Sequence, residues 1–190
     1  MGRPQAFDTA AAVRAARSVF WAQGYEGASV PELEAATGLS RSSIYHAFGN
    51  KRGLFDASVE SYLSEVVRPR LRPLLADDVA PTALVGYLTG LREALEAHSA
   101  LAADGCLLIN AAGSRIGQDD AVRAAISDYQ RELREAFRRG ITATHPDLDG
   151  ASADRGSRTI TALVVTALAL TRVDAAAALE NLDAAIDFAR

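Results

Sequence analysis

The sequence holds a single cysteine, Cys106, which excludes any intrachain disulfide and any multi-cysteine zinc site. Lysine is almost absent as well: Lys51 is the only one, and arginine carries the rest of the positive charge, a bias that a genome rich in G and C produces without a functional cause. Aromatic residues reach only 6% and the β-branched runs are short, so there is little to build a pleated sheet. Alanine dominates the 49% that is hydrophobic, and alanine has the best helix propensity. The longest strongly apolar segment, Thr159 to Thr171, is 13 residues bracketed by Arg158 and Arg172. That falls short of the roughly 20 needed to span a bilayer. The start lacks the apolar stretch of a signal peptide, and Ala6 stands where N-myristoylation needs serine or threonine. The expectation is an intracellular protein with no membrane partner.

Catalytic patterns are also missing. No Ser-His-Asp, Cys-His or paired-carboxylate arrangement is recognisable from spacing, and no glycine-rich phosphate loop occurs. His98 and His145 have no second ligand at metal spacing, so no metal and no cofactor is expected. A helical enzyme with a purely structural hairpin is the alternative from another class, and an enzyme is not the expectation.

What is present is helical patterning, capped and punctuated. Net charge is −4, yet residues 1–55 sum to +2 and the remainder to −6, a mildly basic head on an acidic body. Val13, Ala16 and Phe20 recur at helical spacing, with Gly24 as the stop. A second helix opens at Ser29, where Ser29 and Glu32 form a capping box and Pro31 falls in the first turn. It closes at Gly38, with Leu33 and Ala36 expected to point inward. The short turn Gly38-Leu39-Ser40 leads into a brief third helix that Ser40 caps and that ends near Phe48-Gly49. Asn50 caps a longer fourth helix through Val66, which Pro69 and Pro73 are expected to kink and finish. Further helices are expected at about 81–99, 105–114, 119–141, 151–173 and 175–189, with Asp119-Asp120 as a cap and first turn. In the fourth of these, Ile160, Leu163, Val164, Ala167, Leu168 and Leu170 cover more than one face, so a second subunit is expected to cover the side its own domain does not.

Two short helices joined by a tight glycine-containing turn, with a third behind them, form the helix-turn-helix layout, in which the second helix enters the major groove. At about 100° per residue, Ile44 and Phe48 share one face and hold that helix to its domain. Ser42 and His46 point nearly opposite, flanked by Ser43 and Tyr45. Arg41 suits a guanine edge or a phosphate, Tyr45 and His46 suit phosphates, and Lys51 joins free backbone N–H groups at the start of the fourth helix. Ser29 and Arg3, the latter on an N-terminal arm, complete the expected DNA-binding set.

The stretch from about Phe7 to Tyr62 resembles the TetR/AcrR family of bacterial regulators. The resemblance rests on Phe20-x-x-x-Gly24-Tyr25, on Ser-Val-Pro-Glu-Leu from Ser29, on Gly-Leu-Ser-Arg-Ser-Ser-Ile-Tyr-His-Ala-Phe from Gly38, and on Asn-Lys-Arg-Gly-Leu-Phe from Asn50. Two departures are visible: Gly53 replaces the acidic residue more usual after the lysine, and Ala47 stands where a polar residue is common. The resemblance implies a homodimer on a pseudo-palindromic operator, an effector pocket in the C-terminal body, usually repression, and a place in the bacterial cytoplasm, on the nucleoid when bound. The expected fold is all-α: a helix-turn-helix head at 1–55, joined by a long helix to a helical ligand-binding and dimerisation domain at 56–190, with dimer contacts through 151–189.

Gly-Cys-Leu-Leu at 105–108 is similar to a segment in a TetR subgroup, some of whose members respond to reactive electrophiles through that cysteine. A redox or electrophile switch at Cys106 is therefore the alternative mechanism, set against a small buried packing residue. Tyr62, Leu88, Leu91, Cys106, Ile109, Tyr129 and Phe137 are candidates for lining an effector pocket, each equally readable as core. The run Arg131, Arg134, Arg138 and Arg139, alternating with Glu132 and Glu135, reads as a solvated face with helical ion pairs. Arg68, Arg70 and Arg72 read first as a surface kink and second as a counter-charge for an acidic effector.

Overall fold

A computed structural model describes residues 7–97 and 103–190. The chain divides into two compact units between Glu65 and Val66. In the first, α1 (Thr9–Gly27) starts on Asp8, whose carboxylate accepts from Ala11 N–H at 3.0 Å. Gly24, at φ 75, breaks its helical geometry before the end. Ala12, Val13, Ala16, Phe20 and Trp21 are buried along one stripe of α1, the side a helix of this spacing turns to its core. Then follow α2 (Val30–Thr37), α3 (Arg41–Phe48) and α4 (Lys51–Tyr62).

The core of this unit contains a cluster of aromatic contacts. Phe20 meets the Phe55 ring edge-on at 5.2 Å, Tyr25 meets Phe55 at 5.1 Å, and Trp21 meets Tyr62 at 4.8 Å. Arg17, only 8% exposed, donates to Ser61 O, Ser61 Oγ and Glu65 Oε2 at 2.9–3.1 Å. One of the six cations counted in the head is therefore spent inside it, and Arg14 and Arg52 are held by Glu65 and Asp56. Ala36 is exposed, against the inward position expected for it. In α2 Leu33 alone is buried, and Ala36, only about 60° round the helix from it, lies outside the narrow strip that this short helix covers.

The second unit comprises α5 (Arg68–Leu75), α6 (Ala83–Glu96), α7 (Leu107–Ala112), a 3-10 turn at Arg115–Gln118, α8 (Asp120–Thr144), α9 (Gly150–Leu170) and α10 (Ala175–Ala189). A π-helical turn, Leu63–Val67, spans the division. Pro69 does not finish a helix: it lies in the first turn of α5, where its missing donor is harmless, and the chain stays helical past Pro73 to Leu75.

Within this unit α9 packs against α8 and α10, and α10 also packs on α6, where Arg92 Nε donates to Asp183 Oδ1 at 2.5 Å. Asp119 caps α8 and Asp149 caps α9. The α8 arginines behave as a solvated face in part: Arg131 and Arg138 pair with Asp128 and Glu135, whereas Arg139 donates to Ala76 O. No helix among the described residues is long and apolar enough to cross a membrane.

Candidate nucleic-acid interface

The interface is assembled on α2, α3 and the start of α4. The capping box at Ser29 forms as its spacing requires: the Ser29 N–H donates to Glu32 Oε2 at 2.8 Å, and Glu32 N–H donates back to Ser29 Oγ. Hydrogen bonds from Ser29 and Gln23, with Lys51 nearby, hold the Glu32 carboxyl below the ordinary carboxylate range. Gly38 ends α2 in the left-handed conformation at φ 68, and Ser40 then caps α3 by accepting from Ser43 N–H at 3.2 Å.

A second cap on α3 has no local signature. Glu34 reaches across the turn from α2, and its Oε1 accepts the Arg41 N–H at 2.5 Å. The two residues lie on different helices across a turn, so no helical period relates them and nothing in the pattern pointed to the contact.

Ile44 is 1% exposed and anchors α3, while Arg41, Ser42 and His46 are exposed and Ser43 and Tyr45 half-buried. The face opposite Ile44 is therefore free, polar and short-chained. Arg41 lies with its guanidinium 5.2 Å from the Tyr45 ring centroid, a cation–π contact one turn apart. Ser42 and Ser43 share hydrogen bonds with Ser40 Oγ at 2.9 Å. Lys51 stands 4.6 Å over the Tyr25 ring, and partial burial lowers its pKa while Glu26 and Glu32 oppose that shift. Arg3 lies outside the described residues.

The turn from α3 to α4 explains the first departure from the family pattern. A Cβ on Gly53 would sit 1.9 Å from Phe48 O, so only glycine fits where α4 starts against the end of α3. Asn50 closes the same turn, its Oδ1 accepting from Gly53 N–H at 3.0 Å.

The candidate pocket residues do not form one set. Tyr62 is buried in the first unit against Trp21, and the others belong to the second. Leu88, Cys106, Tyr129 and Phe137 are buried at 3% exposure or less, and Ile109 is half-buried. Leu91 lines a groove of 530 Å³ between α5 and α6. The Cys106 thiol donates to the Tyr129 hydroxyl at 3.7 Å. Among the described residues no group of His, Cys, Asp and Glu is placed to hold a metal ion.

A capped pair of short helices, the second anchored by one buried residue and presenting a polar face, defines a helix-turn-helix DNA-binding protein. Comparison with known proteins agrees. Residues 12–58 match the family described as bacterial regulatory proteins, tetR family. The chain is 32% identical over 142 residues to the uncharacterized HTH-type transcriptional regulator YezE of Bacillus subtilis, covering 74% of this chain and 72% of that one. It is 33% identical over 110 residues to the HTH-type transcriptional repressor ComR of Escherichia coli, covering 57% of this chain and 51% of that one. Among solved structures, a cysteine mutant of the TetR family regulator CifR, complexed with 26-base-pair operator DNA, superimposes with a TM-score of 0.75 at 30% identity, covering 97% of this chain and 98% of that one. The chain belongs to the TetR family: it is a helix-turn-helix transcriptional regulator and not an enzyme.

Proposed function

We propose that the protein is a homodimeric repressor that binds a palindromic operator in the bacterial cytoplasm and leaves it when a small molecule occupies the C-terminal body. The observation that carries this reading is the outward face of α3: Arg41, Ser42 and His46 exposed opposite a buried Ile44. Arg41 reads a base edge or phosphate. Ser29, Ser43, Tyr45, His46 and Lys51 fix register on the backbone, and Arg3 reaches a neighbouring groove. The complex of the related CifR with operator DNA supports the same mode of binding.

The second protomer docks on α9 and α10. Val173 and Phe188, beside and on these helices, are 82% and 54% exposed, an uncommon exposure for large apolar side chains that a partner would cover. Two recognition helices then sit one helical turn of DNA apart, roughly 34–36 Å. Effector and operator antagonise each other because the coupling free energy is shared.

Selection of DNA from a random pool tests the reading. An inverted repeat bound by a dimer, with affinity falling steeply as salt rises, is expected. No enriched sequence, from a folded dimer at low salt, would overturn it.

A covalent switch at Cys106 is the competing mechanism. Gly105 has φ 70, and a Cβ there would lie 2.5 Å from Leu168 O, so its glycine answers a packing need. Cys106, Leu107 and Leu108 are each at most 1% exposed. Burial of the whole segment favours packing over a solvent-facing thiol. Cys106→Ser is therefore expected to keep its response to the inducing compound, measured as operator release. Loss of that response with the fold intact would establish the covalent switch instead.

A further inference from the structure

The groove between α5 and α6 carries a positive charge that the fold does not neutralise. Its 530 Å³ falls in the range of small-molecule sites, and Arg70, Pro73, Gly86, Tyr87, Gly90 and Leu91 line it. Arg68, two residues before, pairs with Glu132 at 3.4 Å. Arg70 is half-buried, and among the described residues no carboxylate lies in ion-pair range of it. Removing a guanidinium from water without a counter-ion costs free energy, which an anion in the groove would recover.

Tyr87 supplies a second polar group. Its ring lies 5.3 Å from that of Phe137, in the core, while its hydroxyl has no hydrogen-bond partner among the described residues. Burial raises its pKa, with the Arg70 guanidinium pulling the other way, so the phenol is a neutral donor throughout the physiological range. Gly86 and Gly90, both exposed, line the groove one turn apart on α6. A Cβ on either would meet nothing within 4 Å, and neither has positive φ. Glycine inside a helix costs roughly 1 kcal/mol relative to alanine. Since neither close packing nor backbone geometry demands these two, what they supply is room.

We propose that this groove binds a small monocarboxylate with an apolar body, its carboxylate on Arg70 and the Tyr87 hydroxyl, its body along Gly86, Gly90 and Leu91. One cation and one neutral donor match a single negative charge, and apart from Thr82 the remaining lining is apolar. The inference rests on the effector-responsive reading above and names the chemistry of that effector. In chain order α5 follows α4 after one π-helical turn, so an anchor on Arg70 engages the first helix beyond the head.

Calorimetric titration of the full-length protein with octanoate and with hydrocinnamate tests it, with 1-octanol and octylamine as uncharged and cationic controls. At least one acid is expected to bind, and Arg70→Gln to weaken it by about tenfold or more, the worth of one charge-assisted hydrogen bond. Gly90→Leu fills the groove and gains helix propensity, so it is expected to abolish binding without lowering Tm. The proposal is overturned if neither acid binds, if the alcohol binds as well as the acid, or if Arg70→Gln or Gly90→Leu leaves affinity unchanged. Operator binding by fluorescence anisotropy separates the two readings. Acid binding that passes these tests but leaves operator affinity unchanged keeps the site and overturns the effector role. Operator release by another compound, with no acid bound, does the reverse.

Discussion

At the scale of single residues, Arg41 and Tyr45 are a preformed pair. The cation–π contact restrains both side chains on the exposed face of α3, so less rotamer freedom is lost when DNA arrives. Tyr45→Ala removes a contact and also frees Arg41. We expect it to cost about 1–3 kcal/mol of operator binding per protomer, with the circular dichroism and dimer unchanged; unaltered affinity in a gel-shift titration would overturn the docking. Glu32 gives a pH signature. Its folded-state pKa is lowered, so its contribution to stability is present above the ordinary carboxylate range and disappears as pH falls through the lowered value. The Tm difference between wild type and Glu32→Gln should accordingly be largest near neutrality and shrink in acid. A difference that stays constant with pH would mean that the charge on Glu32 contributes nothing.

At the scale of elements, α3 is positioned by three things: Ile44 beneath it, the paired caps of Ser40 and Glu34 at its start, and the tight turn into α4 at its end. The last is the least forgiving. With Phe48 O only 1.9 Å from where a Gly53 Cβ would lie, α3 and α4 must part to admit a methyl group. Gly53→Ala is expected to destabilise the head by about 2 kcal/mol or more, read as a lower midpoint in urea, and to weaken operator binding beyond that loss because the recognition helix shifts. An alanine variant with wild-type stability would show that the turn yields easily. Arg17 works differently. It ties α1 to the end of α4 through Ser61 and Glu65, so it holds elements of the head together where its charge alone would assign it to DNA.

At the scale of the whole molecule, the proposed function calls for two copies. The outward side of α9 carries Ala162, Thr166 and Ala169, all exposed and small enough to let another helix approach closely; Val173 lies in the turn between α9 and α10, and Phe188 near the end of α10. Phe188→Glu sets a charge on that apolar surface and is expected to weaken the dimer by about 2 kcal/mol or more. Analytical ultracentrifugation would read this as dissociation at micromolar concentration, with operator affinity falling in parallel. A variant that remains fully dimeric would move the interface away from the end of α10.

The helices, their caps and the face of α3 were legible in the sequence because they depend on neighbours three or four residues apart. Ser29 with Glu32, Ser40, Asn50 and Asp119 each cap the helix their spacing implied, and Ile44 and His46 fall on the sides that 100° per residue assigns them. Even so, short range misled at Ala36, which shares a face with Leu33 but is left exposed, and at Pro69, which falls in the first turn of a new helix. Tertiary structure alone decided the rest. Arg17 counts toward the basic charge of the head, yet Ser61 and Glu65, more than forty residues away, enclose it. Arg70, read first as part of a kink, gained meaning only when α6 set Tyr87 and two glycines beside it. In each case the deciding contact joins residues that the chain keeps apart, and no periodicity records it.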